Sequence, residues 1–292
     1  MVTIDIKNAF NTADWDLILK KMKDKGISEY LVQIVSEYLS DRVIVYAKGR
    51  ESVNVKAGSV LGSTLWNLLY DDVLKTEMAT GVKTVGFADD TALIVSADHK
   101  TTLITKTDEG LDRIGKEICA LRLRIAEHKC EALILKGRRD KEGIDFQING
   151  ARIEVKKEIK YLGIIWSQNR RNTFGLHIMQ TKRKAEETST KLGPLMPNVD
   201  GPSSTKRSVV CGTIHFILLH AAPIWQSVTE IGRYKEMLEA TQGKGLLRVA
   251  SAYCTKSTTA LQVITATVPM HLLITKIVCV RTWHRYSETT TN

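Results

Sequence analysis

Hydrophobic and polar positions along the 292-residue chain change rhythm a little past its middle. Residues 2–6, Val-Thr-Ile-Asp-Ile, predict a strand that delivers an acid near its end, with no preceding segment to pair with. Apolar residues then recur at helical spacing over 15–22 and 31–39, with Gly26 as the break and Ser28 as the N-cap of the second helix. Residues 43–46 and 53–55 flank Lys48-Gly49-Arg50 as a hairpin, and residues 58–63 read as a flexible loop opening a helix over 65–78. Two arms rich in β-branched residues, 82–88 and 91–95, enclose Asp89-Asp90 as strand, tight turn and strand. A long helix over 101–123 follows, then a strand at 132–135 and a hairpin at 146–153 about the favoured Asn149-Gly150 turn. One more strand covers 159–166. Beyond Asn169 the pattern is helical, punctuated by Pro194, Pro197, Gly201-Pro202, Pro223 and Pro269. The expected division is therefore a mixed α+β domain at 1–168, a helical domain at 169–250 and a C-terminal helical segment at 251–292.

Composition narrows the class of partner. A net charge of +10 favours a polyanion, nucleic acid first and an anionic membrane second. No apolar run reaches the roughly 18 residues a membrane span needs, and the first ten residues lack the pattern of a signal peptide. Five scattered cysteines, without a C-x-x-C pair, argue against structural zinc and a disulfide framework and for a reducing compartment.

The candidate chemistry lies in Asp89-Asp90. Like charges repel, so two acids in a turn between apolar strands need a reason. Sharing a cation with a third carboxylate supplies one, because hard oxygens suit Mg²⁺ and Mg²⁺ fills its remaining positions with water and substrate phosphates. A solvated Asp-Asp turn is the alternative.

A family resemblance rests on motifs in order. Asp5-Ile6-Lys7-Asn8-Ala9-Phe10-Asn11 resembles the first palm motif of reverse transcriptases. Gly58-Ser59-Val60-Leu61-Gly62 with Leu65-Trp66-Asn67 resembles the second, and Phe87-Ala88-Asp89-Asp90 the third. Glu127-His128-Lys129-Cys130-Glu131 resembles the fourth and Tyr161-Leu162-Gly163 the fifth, a hairpin that grips the primer. The segments at 220–225 and 242–253 are similar to post-catalytic parts of non-LTR, LINE-type retrotransposon polyproteins, in the manner of the type-1 elements of insect ribosomal genes.

The resemblance implies a right-hand polymerase: a palm of antiparallel sheet with packed helices, then a mostly helical thumb. The chain starts four residues before Asp5, so the fingers are expected to be largely absent. It implies an RNA-directed DNA polymerase piece that copies element RNA by two-metal phosphoryl transfer. Asp5 and Asp89 would hold the metals with Asp90 in support, and the Ile6 carbonyl would complete a metal shell. Gly58 would belong to the nucleotide-binding loop, and Phe10 would lie under the incoming sugar and exclude a 2′-hydroxyl. Lys129 would protonate the leaving pyrophosphate, while Tyr161 and Gly163 would shape the primer-grip turn. Lys182, Arg183, Lys184, Lys206 and Arg207 would track phosphates. The implied cofactor is Mg²⁺, with Mn²⁺ as substitute. The implied partners are an RNA template, a DNA primer or target and dNTPs, acting in the nucleus and not on a membrane.

Each residue has a plainer reading beside this one: Phe10 as core, Lys129 as a solvated neighbour of Glu127 and Glu131, and the later basic residues as surface charge. The chain also departs from the family pattern. Lys56-Ala57 stands where Pro-Gln is usual, and Ser63 where a proline is usual. The expected activity of the chain alone is accordingly weak or nil. The alternatives are a non-catalytic RNA- or DNA-binding remnant, another two-metal palm enzyme such as a nucleotidyl cyclase or DNA-templated polymerase, and a basic membrane-surface scaffold.

Overall fold

A computed structural model describes residues 1–40, 60–136, 143–169, 173–197 and 201–290. Gly58, Lys56-Ala57 and the hairpin expected at 43–55 lie outside the described residues. Two compact units, Met1–Leu162 and Gly163–Asn292, make up the chain. The fold class is α+β: strands belong to the N-terminal part, and among the described residues none follows Ser167.

In the first unit, β1 (Val2–Ile4) leads through α1 (Ala9–Thr12) into α2 (Trp15–Asp24) and α3 (Glu29–Leu39). Asn8 takes the left-handed conformation (φ 52°) that asparagine tolerates, and turns the chain from β1 into α1. Ser28 caps α3 by position only, since its side chain accepts no capping hydrogen bond. Next come α4 (Val60–Lys75), the hairpin β2 (Val82–Phe87) and β3 (Asp90–Val95), and α5 (Lys100–Ala120). A 3-10 turn at Glu127–Lys129 precedes β4 (Glu131–Leu133), β5 (Phe146–Ile148), β6 (Ala151–Ile153), β7 (Val155–Lys156) and β8 (Glu158–Tyr161).

Five strands form one sheet in the order β2-β3-β1-β4-β7. The three-residue β1 is its centre, antiparallel to β3 on one side and to β4 on the other. The opening strand therefore has two partners, both supplied by later sequence. The sheet is mixed and not purely antiparallel, because β4 and β7 run parallel.

Thr91, Ala92 and Leu93 are buried in succession, which means both faces of β3 are covered. That is why the alternation around Asp89-Asp90 is loose. On α4, Leu65, Trp66, Leu69, Tyr70 and Val73 form a buried stripe at helical spacing. This helix begins at Val60, so the flexible loop expected through Ser63 is already helical there. Asn149 and Gly150 both take positive φ (50° and 81°) between β5 and β6, as an Asn-Gly hairpin turn requires. The single strand expected over 159–166 is instead two, because Leu162 (φ 49°) and Gly163 (φ 79°) turn the chain between β8 and β9 (Ile164–Ser167).

The second unit is helical after β9. Its long helices are α6 (Gly175–Leu192), α7 (Ser204–Leu219), α9 (Gly232–Val249) and α11 (Met270–Thr290), with the shorter α8 (Ala222–Trp225) and α10 (Thr258–Ile264) between them. Its main core gathers Ile178, Leu218, Trp225, Leu238 and Ile274, all at or near zero exposure. A buried polar network crosses it. Gln242 donates to the Val268 carbonyl at 2.9 Å and accepts from the Met270 N–H at 3.1 Å, which ties α9 to the start of α11.

Candidate active site

Register brings the acids together. Val2, Thr3 and Ile4 lie opposite Leu93, Ala92 and Thr91, so the pairing ends where Asp5 follows Ile4 on one strand and Asp90 precedes Thr91 on the other. Phe87 pairs with Asp90, leaving Ala88 and Asp89 as the two-residue turn. Asp89 is thus presented at a hairpin tip beside Asp90 and the end of β1. Ala88 takes a left-handed φ of 54°, which costs a non-glycine residue about 1–2 kcal/mol.

The electrostatics record the crowding. Although Asp90 is largely exposed, burial of part of its surroundings raises its pKa, and the charges of Asp89 and Asp5 raise it further. The Asp5 carboxyl is about a third exposed, yet its Oδ2 is buried without a hydrogen bond. The Lys129 ammonium lies 3.0 Å from that oxygen, an ion-pair distance without hydrogen-bond alignment.

The backbone around Asp5 is pinned from the other side. The Ala126 N–H donates to the Asp5 carbonyl and the Lys7 N–H to the Arg124 carbonyl, both at 2.8 Å, forming a bridge between Ile6 and Ile125. In that pattern the carbonyl of Ile6 turns away from the 124–126 segment.

Aromatic side chains support the hairpin. The Trp66 indole Nε1–H donates to the Ala88 carbonyl at 2.9 Å, and the Tyr70 hydroxyl meets the Thr91 hydroxyl at 2.9 Å. Burial pushes the Tyr70 phenol up to about 12. The Phe10 ring is 5.0 Å from Trp66 and 43% exposed, so it is neither core nor free surface. Tyr161, buried, reaches the Asp90 carbonyl at 3.4 Å, and burial ahead of the Asp90 charge raises its pKa. The sequence motifs name Trp66 only as one member and leave Tyr70 out. An aromatic pair four residues apart on the helix preceding the acid hairpin is the signal that points to them.

A family model described as reverse transcriptase (RNA-dependent DNA polymerase) matches residues 1–166, more than half of the chain and all of this site. The chain belongs to the reverse transcriptase family. Its relatives among curated proteins include a putative 115 kDa protein in the type-1 retrotransposable element R1DM of Drosophila melanogaster, 24% identical over 92% of this chain and 26% of that protein. A retrovirus-related Pol polyprotein from type-1 retrotransposable element R1 of Bradysia coprophila is 25% identical over 63% of this chain and 18% of its own length. The chain thus spans about a quarter or less of these two relatives. A telomerase from Candida albicans, solved in complex with a fragment of telomeric RNA, matches 90% of this chain and 46% of its own, at 10% identity and a TM-score of 0.41.

The basic residues of the second unit separate on inspection. Arg207 is 5% exposed, and it donates to the carbonyls of Pro202, Pro197 and Arg248 and to the Ser251 hydroxyl. It is a structural staple, buried and bonded away from the phosphate track expected of it. Lys182 and Arg183 pair with Glu186 and Glu187 one turn on. Among the described residues no single helix is long and apolar enough to cross a membrane.

Asp90 yields a prediction with a defined sign. An acid whose pKa is raised by folding binds more protons in the folded state, so its charge lowers stability increasingly as pH rises above the ordinary aspartate value. Asp90→Asn is expected to raise the thermal midpoint at neutral pH. Discounted for solvent screening, the gain is under about 1 kcal/mol, and it disappears below about pH 4. Thermal melts of the two proteins across pH 4–8 read the difference.

Proposed function

We propose that this chain carries the catalytic centre of an RNA-directed DNA polymerase of a non-LTR retrotransposon, built as a palm in the first unit followed by a helical thumb. The observation that supports the reading is the β1–β3 register, whose last pair, Ile4 with Thr91, adjoins Asp5 and Asp90 at the hairpin whose turn contains Asp89. In this reading Asp5 and Asp89 would hold Mg²⁺ with Asp90 in support, and the Ile6 carbonyl would add an oxygen ligand. The residues fit such an ion: the donors are all hard oxygens, and the Asp5 Oδ2, buried without a hydrogen bond, faces a cation already, the Lys129 ammonium at 3.0 Å. Among the described residues no group of three His, Cys, Asp or Glu side chains, these acids included, is arranged to hold a metal ion by itself. An ion that uses one or two carboxylates and completes its shell with substrate phosphates and water needs no such group. When bound, Mg²⁺ supplies charge neutralisation at the reacting phosphates, and Mn²⁺ is the expected substitute.

The chain's own residues do the rest. Phe10, propped on Trp66 and part-exposed, lies under the sugar of the incoming dNTP. Lys129, 3.0 Å from the Asp5 Oδ2, would donate a proton to departing pyrophosphate, and Tyr161 with Gly163 would shape the turn that holds the primer. The template is RNA, the primer or target DNA, and the setting nuclear. Extension of a DNA primer on an RNA template, with dNTPs and Mg²⁺, tests the reading. Weak incorporation abolished by a chelator supports it. Salt-sensitive RNA binding with no incorporation in either Mg²⁺ or Mn²⁺ favours instead a nucleic-acid-binding remnant, the reading that Ala57 in place of the usual glutamine favours.

Sugar choice gives a separate check. Phe10→Ala removes the ring that would meet a 2′-hydroxyl, and is expected to raise ribonucleotide incorporation relative to deoxyribonucleotide by about tenfold to a hundredfold, the range a steric pocket contact supplies. Competition between the two nucleotides in the same extension reaction measures the ratio.

A further inference from the structure

We propose that Trp66 is the positioning residue of this site, setting the direction of the Asp89 carboxylate and coupling it to Phe10. The inference rests on the reading of the acid cluster given above. Between Phe87 and Asp90 the turn contains only Ala88 and Asp89, so the backbone of Ala88 determines where Asp89 points. Ala88 lies in the left-handed region, which alanine does not choose by itself. The indole N–H that holds its carbonyl at 2.9 Å comes from a residue only 1% exposed. Water cannot readily replace that bond, and breaking it leaves a buried donor unpaired.

One helical turn further on, Tyr70 stacks on Trp66 with ring centroids 5.4 Å apart and an interplanar angle of 16°. Its hydroxyl engages Thr91, which is fully buried. The hairpin is therefore gripped on both sides of Asp89-Asp90, at 88 by Trp66 and at 91 by Tyr70. The same indole meets Phe10 at 5.0 Å. A single side chain thus touches both the turn that presents the acid and the aromatic ring assigned to the sugar.

The test uses the full chain with Trp66→Phe. A second variant carries benzothienylalanine at position 66, which keeps the ring volume and replaces only the N–H. Two readouts apply: amide hydrogen exchange at residues 88–90 without metal, and Mn²⁺ affinity from the spin-resonance signal of the free ion. Both variants are expected to exchange at least tenfold faster at 88–90 and to bind Mn²⁺ about tenfold more weakly. Adding Ala88→Gly, which frees the left-handed conformation, is expected to recover at least threefold of that affinity. Wild-type exchange and affinity in the benzothienyl variant overturn the proposal. Asp89→Asn is the control: if it binds Mn²⁺ as tightly as the wild type, the metal assignment has failed, and the exchange rates alone decide the role of Trp66.

Discussion

Asp89→Asn is expected to reduce metal-dependent primer extension at least about a thousandfold, with a comparable loss for Asp5→Asn. In-line phosphoryl transfer asks the protein mainly for positioning and for charge stabilisation. On the proposed assignment, replacing one carboxylate ligand by a neutral amide forfeits several kcal/mol of that stabilisation, and each 1.36 kcal/mol is a factor of ten. Asp89 stands on a two-residue turn and Asp5 at the end of the sheet's central strand, so no neighbouring acid can take either place without moving the backbone. The fold should survive both changes, because Asp5 is only partly buried and Asp89 sits at the hairpin tip. The comparison is best made in single-turnover reactions with Mn²⁺, alongside Mn²⁺ binding and far-ultraviolet circular dichroism. Retention of a tenth or more of wild-type extension by Asp89→Asn would remove the acid cluster from the chemistry.

Arg207→Met is expected to destabilise the second unit by about 3–5 kcal/mol. Three carbonyls and a hydroxyl lose their donor, each buried orphan costs about 1–3 kcal/mol, and some of them recover water. The carbonyls belong to Pro197, Pro202 and Arg248, so one guanidinium ties the segment after α6 to the end of α9. Methionine preserves length and apolar packing, which isolates the loss of the donors. Denaturant melts of the full chain report the change. A surface Arg207 that merely tracked phosphates would show no loss of stability and a reduced salt dependence of RNA binding, the opposite result.

Much of the site could be read from local pattern. Asp-Asp between β-branched arms, Asn149-Gly150 between short strands, and the apolar stripe of α4 are all short-range signals, written in residues a few positions apart. The third acid was legible only because the order of the motifs resembles a family. Physically, Asp5 and Asp90 are far apart in sequence, and nothing near Val2–Ile4 announces that β3 and β4 will close on it from both sides. Over residues 60–63 the glycine and serine suggest a loop, while packing of the α4 stripe carries the helix back to Val60.

By itself, then, the sequence determined the identity and order of the acids, the periodicities of most helices and strands, and the change from mixed to helical character. Tertiary structure alone decided that β1 is central, that Trp66 and Tyr70 grip the acid hairpin, and that Arg207 is buried. The reason is common to all three. Each depends on which distant backbone groups arrive beside a side chain, and hydrogen-bond partners such as the Ala88 and Pro197 carbonyls have no signature in residue type.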